Sequence, residues 1–146
     1  MPQCFRLVLY VGISCFLISC ASVSHYEEID KDVAAGRYTQ SLSRIEESRD
    51  EEYRDRDLIV YYLDAGLLAH FAGSYEKSSK YLQTAERSIE NAFTKSISLE
   101  ASTFLVNDTM REYPGEDHED IYLNAINALN YYHRGDIDGA LVEIRR

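Results

Sequence analysis

The amino-acid sequence predicts an all-α protein assembled from helical hairpins, and three observations lead to that fold class. The chain of 146 residues has only two prolines, Pro2 and Pro114, so long stretches carry no helix breaker. Glycines fall at isolated points, where they can end one helix before the next begins. Apolar residues recur at helical spacing, without the sustained alternation that a half-buried strand requires. This spacing is seen in Phe93, Ile97, Ala101, Phe104 and Leu105.

The N-terminal segment has the pattern of a secretory signal. Arg6 precedes an apolar run from Leu7 to Ile18, and the sequence Leu17-Ile18-Ser19-Cys20 closes it. That closing sequence resembles the bacterial lipobox, which implies lipid attachment to the Cys20 sulfur, removal of residues 1–19 and a mature domain over 20–146. Ordinary cleavage after Ala21 is the alternative. A permanent membrane span takes about 20 residues, more than this run supplies.

Cysteine usage and net charge narrow the class of protein. Removal of residues 1–19 takes away Cys4 and Cys15, so the mature domain keeps only Cys20 and cannot be a disulfide scaffold. The formal net charge of −10 disfavours binding to nucleic acid and to anionic lipid headgroups. We therefore expect acyl chains on Cys20 to provide the attachment to the membrane.

Three segments, residues 36–45, 73–82 and 135–144, share one pattern. Each has a glycine, one residue, a large apolar or aromatic residue, two residues, a small residue, three residues and a large aliphatic residue. The glycine accommodates the left-handed backbone that ends a helix. The large residue, the small residue and the aliphatic residue then share one face of the next helix, where the small residue permits close helix packing.

The second segment resembles the second half of a tetratricopeptide (TPR) repeat, a helix–turn–helix unit of about 34 residues. The match extends upstream to Tyr62, Gly66 and Ala69, with Gly66 at the point of closest packing, and downstream to Ala85. The third segment is a weaker match, and the first has a degenerate first helix over 26–34. The resemblance implies an α–α superhelix of TPR-like hairpins. Generic helical hairpins with glycine turns are the alternative.

An insert at about 91–120 separates the second and third segments. We expect it to hold a further helix over 93–106 and a loop over 107–117 that contains Pro114-Gly115. Its sequence resembles a family of uncharacterised bacterial lipoproteins with degenerate TPR-like repeats, for which no activity is established. The residues that carry the resemblance are Lys95-Ser96-Ile97-Ser98, Glu100-Ala101, Phe104-Leu105, Asn107-Asp108, Tyr113, Gly115-Glu116-Asp117 and Glu119.

The C-terminal segment lacks the polar cap that ends a helical repeat array. Members of the family extend beyond the position of Arg146, so we expect this chain to be a fragment. The alternative is that the apolar face of Leu141 and Ile144 docks on another surface.

Motifs for catalysis and metal binding are weak. The acidic stretch 115–120 could hold a divalent metal, but its spacing matches no defined motif, and acidic residues are also favoured at a helix N-terminus. The sequence has no phosphate-binding glycine loop, G-x-S-x-G or H-E-x-x-H motif. We expect no enzymatic activity, no cofactor and no metal site.

The remaining prediction is a binding surface. In TPR-like units the first helix of each pair lines a concave groove, which predicts a partner groove formed by Leu63, Leu67, His70, Phe71, Tyr122, Leu129 and Tyr132. We expect the groove to hold an envelope protein or peptide segment. The alternative is a small-molecule or glycan site, with or without enzymatic activity, formed by Lys95, Asn107, Asp108, Glu116 and Asp117.

The expected location is the periplasmic side of an outer membrane. Ala21 follows the lipidated cysteine, whereas an aspartate there is associated with retention at the inner membrane. The short linker after Cys20 would keep the first helices close to the leaflet, and confinement there would raise the effective concentration of the protein for membrane-bound partners.

Overall fold

A computed structural model describes residues 24–100 and 116–146, and this part of the chain is all-α, as the sequence predicts. No residue in these two ranges lies in a β-strand. A short 3-10 turn, Asp55–Asp57, precedes the third helix. The α-helices are α1 (Ser24–Ala34), α2 (Tyr38–Glu52), α3 (Leu58–Phe71), α4 (Tyr75–Glu100), α5 (Asp117–His133) and α6 (Ile137–Ile144).

Three glycines end α1, α3 and α5 in the same way. Gly36, Gly73 and Gly135 have positive φ angles of 71°, 75° and 79°, a region that residues with a Cβ rarely adopt. The amide that follows each glycine donates to the carbonyl five residues earlier, which is the hydrogen bond of a Schellman motif. These bonds are Arg37 to Asp32 at 2.8 Å, Ser74 to Ala69 at 2.8 Å and Asp136 to Tyr131 at 2.9 Å. The three short turns therefore produce three hairpins, α1–α2, α3–α4 and α5–α6.

Each helix packs on its neighbours in sequence, and α3 also contacts α5. The larger hydrophobic cluster joins the first hairpin to α3, and the smaller one joins α4 to α5. The buried members of the larger cluster are Ile29, Leu42, Ile45, Tyr53, Tyr61, Ala65, Leu68 and Ala69. Those of the smaller cluster are Leu82, Ala85 and Leu123. The core is therefore concentrated in the first half of the described chain.

In the second hairpin, α3 and α4 approach each other closely at Gly66, where the sequence predicts close packing. A Cβ atom at Gly66 would lie 2.6 Å from Cδ2 of Leu82, closer than real Cβ contacts allow. On the same side, the buried Ser78 hydroxyl donates a hydrogen bond to the Gly66 carbonyl at 2.7 Å. A side chain at position 66 would therefore have to displace the Leu82 side chain, which is buried in the smaller cluster.

The charged stretch 49–57 contains a buried anchor, Tyr53. The Tyr26 and Tyr53 hydroxyls both donate to Oδ2 of Asp64, at 2.9 and 3.1 Å. These hydrogen bonds connect α1 and the segment between α2 and α3 to α3. Burial raises the pKa of both phenols, that of Tyr26 to about 12. Both hydroxyls therefore remain protonated donors at neutral pH.

The structure corrects the predicted boundary of the insert. Residues 93–100 continue α4 without a break, whereas the sequence predicts a separate helix over 93–106. No glycine or proline lies between Tyr75 and Glu100, so nothing in the sequence ends the helix at the edge of the hairpin. Residues 101–106 and the predicted loop up to residue 115 lie outside the described residues.

The sequence also predicts a signal segment over 1–19 and a lipidated Cys20, and these residues lie outside the described ranges as well. Within residues 24–100 and 116–146, no helix combines the length and the hydropathy required for a bilayer crossing.

Candidate functional site

The predicted partner groove is distributed over α3 and α5, which contact each other. Its larger side chains are mostly exposed to solvent. The exposed members are Leu67, Phe71, Tyr122, Leu129 and Tyr132. Leu63 is half-buried and packs against the smaller core cluster, so it supports the hairpin instead of a ligand. The seventh member, His70, is half-buried and hydrogen-bonded.

His70 is part of a hydrogen-bonded chain that connects α3, α4 and α5. Its Nδ1 lies 2.7 Å from Oδ1 of Asn130, and Nδ2 of Asn130 donates to the Ser78 hydroxyl at 2.7 Å. Ser78 in turn donates to the Gly66 carbonyl at 2.7 Å. Asn130 and Ser78 are completely buried, and hydrogen bonds in such surroundings are stronger than in water.

The donors and acceptors in this series of hydrogen bonds determine the tautomer of His70. The Gly66 carbonyl can only accept, so the single Ser78 proton is used there and the Ser78 oxygen accepts from the amide nitrogen of Asn130. The Asn130 oxygen then faces His70, and His70 Nδ1 must carry the proton that is donated. In the neutral imidazole Nε2 is therefore the acceptor nitrogen.

Aromatic rings lie next to this series of hydrogen bonds, at the turn between α3 and α4. The rings of Tyr75 and His133 stack with centroids 4.5 Å apart and an interplanar angle of 9°. His70 lies 5.7 Å from the Tyr75 ring and 6.0 Å from the His133 ring. On the other side, Phe71 stacks on Tyr38 of α2 at 5.3 Å. We define the α3–α5 surface as Leu67, His70, Phe71, Tyr75, Leu129, Tyr132 and His133.

The α3–α5 surface combines apolar area with hydrogen-bonding groups on a rigid base. Aromatic side chains offer large contact areas at low entropic cost, and tyrosine adds a polar tip. The imidazoles of His70 and His133 and the phenol of Tyr132 can exchange hydrogen bonds with a peptide backbone or with polar side chains. Such an arrangement is suited to binding.

The predicted groove set omits Asn130, Ser78 and Tyr75, which the structure places at the same site. A signal for Asn130 was present in the sequence. Asn130 lies five residues before Gly135, and the residue five before Gly73 is Leu68, which is buried in the larger cluster. A polar residue at a core position must find a partner, and in this chain it finds Ser78 and His70.

The alternative ligand site lies partly outside the described residues. Lys95 belongs to α4 and Asp117 is the first residue of α5, but their side chains are not described, and Asn107 and Asp108 lie between the two described ranges. The Glu116 amide donates to the Glu119 carboxylate at 2.9 Å, an arrangement that caps α5. Among the described residues, no group of three or more His, Cys, Asp or Glu side chains could hold a metal ion.

Comparison with protein-family models, with curated proteins and with solved structures gave no significant match for this chain.

Proposed function

We propose that this protein is a lipid-anchored scaffold of the bacterial envelope that binds a partner protein or peptide segment on the α3–α5 surface. The anchor would be the lipid on Cys20, and the helical domain would stand in the periplasm next to the outer membrane. The hairpins would stack as TPR-like units into an α–α superhelix. We propose no catalytic role, cofactor or metal for this surface.

The exposed side chains of α3 and α5 are the observation that carries this proposal. Phe71 and Tyr132 are exposed, and ring contacts through His70 and His133 join them into one patch, a feature that marks binding sites. The hydrogen-bonded chain from His70 to Gly66 holds the two helices together beneath them. A partner would therefore meet a preorganised surface, which lowers the entropic cost of binding.

The repeated turn geometry supports the TPR-like interpretation. The three Schellman turns recur with the same hydrogen bonds, and Ser41, Ser78 and Ala140 are buried at the same offset after the glycine. Close packing at Gly66 matches the role that this position has in the resemblance. A solenoid built from such units presents the first helix of each pair on one continuous face.

Site-specific photocrosslinking in the producing bacterium tests the binding surface. A photoreactive residue at Tyr132 should give a discrete adduct with an envelope protein, while the same residue at Arg87, exposed on α4, should not. Leu67→Asp, at an exposed position on the surface, should abolish the Tyr132 adduct while circular dichroism shows unchanged helicity. Equal adducts from Tyr132 and Arg87 would contradict the proposed surface.

Metabolic labelling with a clickable fatty acid tests the anchor. The wild type should take up the label, and Cys20→Ala should lose it and leave the membrane fraction. Label that persists in Cys20→Ala would exclude lipidation at this residue, and it would leave the binding surface to be judged by the crosslinking alone.

A further inference from the structure

His70 has one imidazole nitrogen that no group of the protein uses. Its Nδ1 donates to Oδ1 of Asn130 at 2.7 Å, and this donation leaves Nε2 as an acceptor. Among the described residues no donor reaches Nε2, and this nitrogen is not completely buried. A bound molecule can therefore donate a hydrogen bond to it.

The accessibility of this acceptor does not depend on where the chain begins or ends. His70 is near the C-terminal end of α3, a helix that contacts α2, α4 and α5. With helices present before and after it in the chain, His70 is still only half-buried, and Phe71 beside it is 52% exposed.

Aromatic rings lie around the acceptor. The ring centroids of Phe71, Tyr75 and His133 are 5.4, 5.7 and 6.0 Å from that of His70. The faces of phenyl and phenol rings attract a cation within about 6 Å of the centroid. A cationic donor at Nε2 would therefore be stabilised by the rings as well as by the hydrogen bond.

The two helices that carry the α3–α5 surface contain no lysine and no arginine. Their acidic residues are Asp64, Asp117, Glu119 and Asp120. The whole chain has a net charge of −10, so its field attracts cations and repels anions. An acidic ligand would meet no counter-charge on either helix.

The basic residues next to this surface make contacts of their own. Lys77 of α4 pairs with Glu46 at 2.5 Å, and the Arg134 guanidinium, directly after α5, lies 5.5 Å from the centroid of the Tyr131 ring. Arg54 and Arg56 precede α3 and are therefore distant from His70 along the helix.

We propose that His70 accepts a hydrogen bond from a lysine or arginine side chain of the partner segment. The ammonium or guanidinium group donates to Nε2, and the rings of Phe71 and Tyr75 lie beside the cation. This inference rests on the proposed function, because it specifies what the α3–α5 surface binds. The hydrogen bond from Nδ1 to Asn130 keeps Nε2 free of a proton and ready to accept.

Two substitutions at position 70 separate the outer acceptor from the inner donor. His70→Asn keeps an amide N–H close to the place of Nδ1 and removes the acceptor at Nε2. His70→Gln has a carbonyl oxygen that can take the place of Nε2, but it loses the donor to Asn130. The matched control is His118→Asn, at an exposed histidine near the other end of α5.

Three blocked peptides are the probes: Leu-Lys-Leu and the same peptide with norleucine or glutamate at the centre. They are added to the full-length protein in nanodiscs of zwitterionic lipid, and binding is measured by saturation-transfer NMR. The wild type should bind the lysine peptide about tenfold more tightly than the norleucine peptide, since a hydrogen bond to a charged group and a ring contact distinguish them. The glutamate peptide should bind most weakly.

This preference for lysine should disappear in His70→Asn and persist in His70→Gln and His118→Asn, while circular dichroism shows unchanged helicity in His70→Asn. Equal binding of the lysine and norleucine peptides to the wild type would overturn the proposal, as would a preference that survives His70→Asn. Loss of the preference in both variants at position 70 would also overturn it, by giving His70 a purely structural role.

The proposed function has a separate outcome. If none of the three peptides binds, or if the glutamate peptide binds best, the assignment of a basic ligand is wrong. A discrete adduct from the photoreactive residue at Tyr132 would then still support a binding surface for a partner of different chemistry.

Discussion

The α2–α3 interface and the α4–α5 interface share a ring contact at the same position of the hairpin but differ in the side chains beneath it. In both, a tyrosine two residues after the glycine stacks on a ring two residues before the next glycine, as Tyr38 does on Phe71 and Tyr75 on His133. Beneath the stacks, the first interface is filled by apolar side chains such as Leu42, Ile45 and Leu68. At the second, the completely buried side chains of Ser78 and Asn130 are hydrogen-bonded to each other.

This difference shows that the register of the hairpins does not depend on a uniform core. The backbone turn and the stacked rings recur, while the side chains between them change from apolar to polar. The helices α4 and α5 also retain buried side-chain atoms without a hydrogen-bond partner among the described residues, Oγ of Ser79 and Oδ1 of Asn124. Each such atom costs free energy. We therefore expect the α4–α5 interface to open at a lower free energy than the α2–α3 interface.

The largest expected effect comes from removing apolar volume at the first interface. Ile45 is 1% exposed, so Ile45→Ala should lower the free energy of unfolding by about 3 kcal/mol through lost burial and a residual cavity. The matched control Leu67→Ala, at an exposed site, should cost less than about 0.5 kcal/mol. Urea denaturation followed by circular dichroism measures both values. Similar losses for the two variants would contradict the described core.

Asn130 gives the next largest effect, at the second interface. Asn130→Leu removes a donor and an acceptor together and leaves the Nδ1 of His70 without its partner at Asn130. The expected loss of stability is about 1–3 kcal/mol. Hydrogen exchange should accelerate in α5 and α6 more than in α2. Unchanged exchange in α5 would show that the hydrogen-bonded chain does not hold this interface.

Much of the first interface could be predicted from the sequence, because its signals are local. Gly36, Gly73 and Gly135 mark the turns, and the small residue five positions later marks the packed face. A glycine with positive φ and an apolar residue at helical spacing depend only on near neighbours in the chain. These features were sufficient for the all-α fold class and for the positions of the three turns.

The polar contacts of the second interface could not be predicted in the same way. The partner of His70 is Asn130, 60 residues away, and Ser78 joins them from a third helix. These hydrogen bonds depend on the relative positions of three helices, and a short sequence pattern does not specify those positions. The end of α4 was missed for a related reason, because a helix without a breaker continues until its packing changes.

Acid should affect the two ends of the described chain in opposite directions, and this is the smallest effect. In the first hairpin, hydrogen bonds from Arg37 and Arg44 lower the pKa of Asp32, so its contribution to stability is present above the unfolded pKa near 3.8 and is lost as the pH falls through the lower folded value. In α6, burial raises the pKa of Glu143 above 4.5, while Arg146 opposes this shift, Glu86 adds to it and a hydrogen bond from Asn127 opposes it. The stabilisation from Glu143 is therefore greatest below pH 4.5 and declines as the pH rises through its folded pKa.

Two isosteric variants separate these contributions. At pH 7, Asp32→Asn should lower the urea midpoint and Glu143→Gln should raise it, because the first loses a stabilised carboxylate and the second removes a buried one. Near pH 4 the gain from Glu143→Gln should shrink as the native carboxyl takes up a proton, whereas the loss from Asp32→Asn should persist until the pH approaches the folded pKa of Asp32. Midpoints that shift in the same direction for both variants at pH 7 would show that the two ends do not differ electrostatically. In that case the two interfaces would differ only in their apolar and hydrogen-bonded contacts.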